Sequence, residues 1–172
     1  MRKTQQTPKS DNSFLEADYQ LPSTSNYAKL KDGENKIRIL SKPVVGYLDW
    51  KDNKPLRFRM DNKPKAPIDP KRSVKHFWAF PIYNYNEKSV QILELTQSSI
   101  QKAIQALTQD EDWANVFEYD IKIVREGSGM ETEYTVNPVP HKPVSEEIKK
   151  AYFDKGEINL DALFEGGDPF KS

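Results

Sequence analysis

Cysteine is absent from this 172-residue chain. That excludes disulfides, thiolate metal sites and cysteine nucleophiles. Histidine occurs only as His76 and His141, far apart, with no third ligand clustered near either. No metal or cofactor is therefore expected. Long apolar runs are missing too, and Met1-Arg2-Lys3-Thr4-Gln5-Gln6 lacks the apolar segment of a signal peptide. A soluble, cytoplasmic protein is expected. The chain has no G-x-S-x-G, no phosphate-cradling glycine loop and no H-E-x-x-H. Asp110, Glu111 and Asp112 are consecutive, so they cannot share one helix face and read as a solvated helix end. A non-enzymatic protein is expected. The alternative is a metal-dependent nuclease, which would need carboxylates gathered beside a basic groove.

What is present is charge, unevenly spread. Residues 1–80 hold 17 Lys and Arg against 9 Asp and Glu, and residues 81–172 hold 9 against 17. A net charge of zero thus conceals a basic half suited to a polyanion and an acidic half. Hydrophobic residues make up 36%, which implies a modest core with polar flanks.

Periodicity places the elements. Residues 1–25 read as a flexible N-terminal arm, 26–137 as the folded domain, and 138–172 as a Pro-rich linker, a short helix and an acidic tail. Asn35–Leu40 alternates, with Ile37 and Ile39 opposite Lys36 and Arg38. Val44–Trp50 is a second strand, with Gly46 marking a bulge. Pro55–Met60 is a third, with Arg57 and Arg59 on one face. Pro64, Pro67 and Pro70 make residues 61–73 a long basic loop. Strands follow over 74–83 and 90–95, then a helix over 97–107 capped by Thr96, then strands over 119–126 and 131–136. Ser145 caps a last helix reaching Phe153. A helix between the third and fourth strands of a five-stranded antiparallel barrel is the OB-fold layout. The expected fold is therefore mainly β, an OB-fold barrel with an additional short C-terminal helix; an open α+β sheet is the alternative.

Within residues 36–83, twelve cations face four acids and aromatic residues are interleaved. Cations follow a phosphate backbone, and rings stack on unpaired bases for about 1–3 kcal/mol each. Duplexes hide those base faces, so single strands are the favoured partner. The candidate contacts are Lys36, Arg38, Tyr47, Trp50, Arg57, Arg59, Lys63, Lys65, Lys71, Arg72, Lys75, Trp78, Phe80 and Tyr83. Alternation sends Phe77 and Ala79 to one face of their strand and His76, Trp78 and Phe80 to the other, so only one ring set can face a ligand. Strands enrich aromatics in cores as well. An RNA-binding or protein-interaction module is a further alternative. The tail has three readings: a solubilising segment whose helix docks on the domain, an electrostatic competitor for the basic groove, or a partner-docking segment ending in Asp168, Pro169 and Phe170.

The segments KLKDGENKIRILSKPVVGY, HFWAFPIYNYNEKSVQILELTQSSIQKAI, DEDW, YDIKIVREGSGMETEYTVNP and INLDALFEGGDPF together resemble bacteriophage single-stranded-DNA-binding proteins. The resemblance spans residues 27–170 and rests on their joint occurrence. It implies an OB-fold core, binding with little sequence preference, and a role in DNA replication, recombination or repair in the host cytoplasm. It also implies replication or recombination proteins as partners, and allows a homo-oligomer. In bacterial single-strand-binding proteins a tail closing with Pro-Phe recruits such partners; here Lys171 and Ser172 follow Pro169-Phe170. Some phage relatives bind zinc through cysteine and histidine, which this cysteine-free chain should not do.

Overall fold

Each alternating stretch of the sequence is a strand in the computed structural model, which describes residues 13–17 and 25–171. Most of the expected N-terminal arm lies outside these described residues. The elements are β1 (Gly33–Ile39), β2 (Val44–Lys51), β3 (Lys54–Arg59), β4 (Lys75–Asn84), β5 (Ser89–Leu95), α1 (Ser98–Thr108), β6 (Asp120–Glu126), β7 (Glu133–Pro138) and α2 (Glu146–Lys155). All named strands join one antiparallel sheet, in the order β3-β2-β4-β1-β6-β7, with β5 also on β4. The fold is mainly β, with seven strands in that sheet rather than five.

The long strand β4 organises the sheet. One edge carries β5 along Trp78–Asn84. The other carries β2 against Lys75–Ala79 and β1 against Ile82–Asn84. Thus β1 and β2 lie end to end, parted at Leu40–Pro43, where Pro43 interrupts pairing. Leu40 N–H still reaches the Pro81 carbonyl, at 3.0 Å. Asp52 and Asn53 join β2 to β3 with positive φ at both positions, the requirement of a tight hairpin turn whose twist matches its strands.

The sheet has two apolar faces. The inner face closes around Ile37, Ile39, Phe80, Ile82, Leu93, Leu95, Ile121 and Ile123, with Ile100 and Ile104 of α1 packed into it. Helix α1 starts after Gln97, which makes no side-chain cap bond, so the cap expected at Thr96 is not made. Buried Gln101 is satisfied by the carbonyls of His76 and Leu95.

The outer face, with Leu48, Phe77, Ala79, Tyr83, Val90 and Ile92, is covered by the C-terminal segment. Ile148 of α2 packs on Tyr83 and Val90. Leu163, with Phe164 and Phe170, packs on Leu48, Phe77 and Ile92. The Ser145 hydroxyl caps α2 by accepting from Ile148 N–H, as its sequence predicts. Gly46 sits in regular pairing with Arg59 and Phe77, not in a bulge. A Cβ there would collide with the Phe58 carbonyl and press the Phe164 ring at 3.0 Å, so this glycine permits the close approach of the C-terminal segment.

A buried ion pair ties the segment's root to the sheet. Arg38, 1% exposed, donates through Nε to Asp120 Oδ1 at 2.8 Å and through its other nitrogens to the carbonyls of Phe117 and Lys142. The Tyr85 hydroxyl donates to the same carboxylate. Burial and then that hydrogen bond push the Tyr85 hydroxyl well above its ordinary range. Burial also pushes Tyr119 up to about 12, with Asp110 adding to it.

Two outcomes are expected. Leu163→Ala should destabilise the whole domain by about 2–5 kcal/mol in urea denaturation, because the tail is part of the core. A raised hydroxyl pKa favours the protonated fold, so stability should be complete below the ordinary tyrosine value of 10.0 and fall as pH rises through about 12. Tyr85→Phe should reduce that alkaline loss in denaturation series at pH 9 to 12.

Candidate nucleic-acid interface

Strands β2 and β3 extend past the closed part of the sheet, and their inner face is not covered by α1. Tyr47 is directly opposite Phe58 on β3 and His76 on β4, which sets three rings in a row across the sheet. Tyr47 and His76 lie 5.5 Å apart between ring centroids. His76 Nδ1 is fixed 2.8 Å from the Gly46 carbonyl. Two residues further along, Val45 faces Trp78. Alternation explains the row, since every second residue of a strand points the same way.

The basic loop is tethered beside this row by a buried acid. Asp49, fully buried, accepts from Trp50 N–H at 2.8 Å and from Ile68 N–H at 3.1 Å. Lys63 then lies 5.1 Å above the Tyr47 ring, and Arg72 lies 4.1 Å above Trp50. Lys65, Lys71 and Lys75 are exposed. Among the described residues, Lys63, Lys65, Lys71, Arg72 and Lys75 make no ion pair with an acid. The arrangement joins uncompensated cations to partly exposed rings, which is what an extended polyanion with apolar bases requires.

Not every expected contact belongs to it. Arg38 is buried against Asp120, so it cannot reach a surface ligand. Phe80 and Tyr83, at 2% and 3% exposure, lie in the core. Phe80 shares a face with Trp78, but it lies between the β2 and β1 pairings and packs into the core with Ile100 and Ile104 of α1. Tyr83 lies under α2. Lys36 sits 4.5 Å over the Tyr85 ring and 3.8 Å from Asp120, away from the hairpin. Arg57 is paired with Glu94 through two hydrogen bonds, at 2.7 and 3.1 Å. Arg59 is paired with Asp161 at 3.3 Å and lies over Phe164 at 4.4 Å. Trp50 packs at the border of the outer cluster, opposite in face to Tyr47, as odd spacing implies.

The expected docking segment is also displaced. Pro169 is buried and its carbonyl accepts from Asn159 N–H, while Phe170 packs on the outer cluster beneath Lys155. Asp168 is near enough to the Tyr27 hydroxyl, with Arg57 and Glu94, to influence it; burial is the main cause that raises this hydroxyl. Asp168, Pro169 and Phe170 are therefore folded onto the sheet rather than presented as a free peptide.

Sequence reasoning missed Asp49 as an anchor and Phe58, His76 and Phe117 as surface rings. Pairing with Tyr47 identifies the first two rings, but register is not readable from one strand. Phe117 lies in a 3-10 turn, Val116–Glu118, which has no strand or helix period to reveal it. Among the described residues, no group of three or more His, Cys, Asp or Glu side chains gathers as a metal site. No helix there is long and apolar enough to cross a membrane.

The chain is similar to a protein of Escherichia phage T5 described as a "Probable ssDNA-binding protein": 25% identical over 185 aligned positions, covering 84% of this chain and 70% of the T5 protein. No protein-family profile matches the chain. No solved structure matches it.

Asp49→Ala should release the basic loop at a cost of about 1–3 kcal/mol for the buried N–H donors it leaves unmade. Trypsin should then cut faster after Lys65, Lys71 or Arg72 than in the parent protein, as read by mass spectrometry of a digestion time course.

Proposed function

We propose that this protein is a non-enzymatic binder of single-stranded DNA, with little sequence preference, using the inner face of the β2–β3 hairpin and the basic loop. The observation that carries the reading is the row Phe58–Tyr47–His76 flanked by loop cations that have no acidic partner. The similarity to the T5 protein supports it. So does the resemblance of the sequence to phage single-strand-binding proteins, from which a role in replication, recombination or repair within the host cytoplasm follows.

The sheet supports an OB-type reading. β1 and β2 act as one interrupted strand, followed by β4, β5, α1, β6 and β7, and β3 with the basic loop forms an enlarged connection between the first two strands. α1 lies against both β5 and β7. In OB-folds that first connection and its neighbouring strands hold oligonucleotides, which supports a site on the hairpin and the basic loop. The folded tail adjusts affinity at the border of the site by holding Arg59 through Asp161. Replication or recombination proteins are the partners this reading implies.

Titration with oligo-dT should quench tryptophan fluorescence, with log K falling against log salt by about 0.7 per phosphate neutralised. Replacing Lys63, Lys65 and Lys71 together by Ala should make that slope shallower by about 2. Trp78→Ala should weaken binding by about 1–3 kcal/mol. Asp161→Asn should tighten it by less than about fivefold, since the pair it breaks is exposed. Absence of both quenching and binding at low salt would contradict the reading.

A further inference from the structure

Beyond the pair of Val45 and Trp78, the inner face opens into a pocket of about 270 Å³. Val45, Trp78, Phe80 and Ile39 of the sheet line it together with Ile104 of α1 and Phe117. Phe117 and Val45 are exposed at 37% and 36%. The chain covers its outer apolar face with its own C-terminal segment, yet none of the described residues fills this pocket. No acid lines it. Lys42, between two lining residues in sequence, is exposed.

We propose that this pocket receives one base of the bound strand and favours thymine over uracil. The inference rests on the single-strand reading above and names the base selectivity of that same surface. Three features support a base over another apolar group. The pocket continues the aromatic row: Trp78 follows His76 on the same face, about 7 Å further along at roughly 3.4 Å per residue. A stacked DNA strand advances only about 3.4 Å per nucleotide. A base over Tyr47 and its neighbour in the pocket must therefore be pulled apart, which only an unpaired strand allows. Ser41 and Gln105 also line the pocket, and their side chains offer hydrogen bonds to a base edge, while the Thr108 hydroxyl donates to the Gln105 carbonyl.

The apolar walls set the preference. Thymine differs from uracil by one C5 methyl group. Burying a group of that size is worth about 0.8 kcal/mol, or about fourfold in affinity. The same walls give uracil nothing in place of the methyl.

The test compares oligo-dT with oligo-dU of equal length, by fluorescence titration of the full chain. Oligo-dT should bind about fourfold tighter, and the ratio should fall to about one in Phe117→Ala and in Val45→Thr. The second variant replaces an exposed side chain by one of similar shape, so a folding defect in the first does not decide the matter. Tight binding with equal affinities in the parent protein would overturn the pocket and leave the single-strand reading standing. Binding of neither oligonucleotide at low salt would overturn both. A DNA-free dimer that Phe117→Ala disperses would assign the pocket to a second copy and overturn the base proposal.

Discussion

The outer face of the sheet has to be covered, and much of the architecture follows from how that is done. Leu48, Phe77, Ala79, Val90 and Ile92 would otherwise leave a broad apolar surface on one side of β2, β4 and β5. The chain covers it with α2 and the turn around Leu163, so an acidic stretch that reads as a tail is part of the core. The Arg38–Asp120 pair fixes where this cover begins, because Arg38 also holds the Lys142 carbonyl. Such a pair is tolerable only because its remaining hydrogen-bonding groups are satisfied; losing one partner would strand a buried charge.

Covering one face leaves the other for the proposed ligand. Arg57 and Arg59 point to the covered side and meet Glu94 and Asp161 there, whereas Lys63 lies over Tyr47 on the open face and Arg72 lies over Trp50 at the border between the two. Charge separation along the sequence therefore becomes charge compensation at the border of the cover and free positive charge on the loop. Asp49 is the exception that makes the loop useful. It is a buried acid within a basic stretch; one oxygen is fixed by the Trp50 N–H of β2 and the other holds the loop through the Ile68 N–H.

The strands were legible because their apolar residues alternate or run together between turn signals, and α1 because Ile100 and Ile104 repeat at helical spacing. Ser145 was legible as a cap because its hydroxyl has one orphan amide within reach. What alternation cannot reveal is what lies above a face. Lys36 and Arg38 alternate together, yet Arg38 is sealed under the chain at Lys142 while Lys36 remains partly exposed. Trp78 and Phe80 likewise share a face, and only α1 and the change of partner strand separate an open ring from a core ring. The packing of Phe170 had no local signal at all, because its cluster includes Phe77 and Ala79, roughly ninety positions earlier.

The claim that matters most is that single-stranded DNA lies on the inner face of the hairpin. Photo-cross-linking of oligo-dT to the full chain, with adducts mapped by mass spectrometry, tests it most directly. Adducts should fall on Tyr47, Phe58, His76, Trp78 and the loop from Lys63 to Arg72. Adducts concentrated on the outer face, at Phe164, Phe170 and the residues beneath them, would contradict the account.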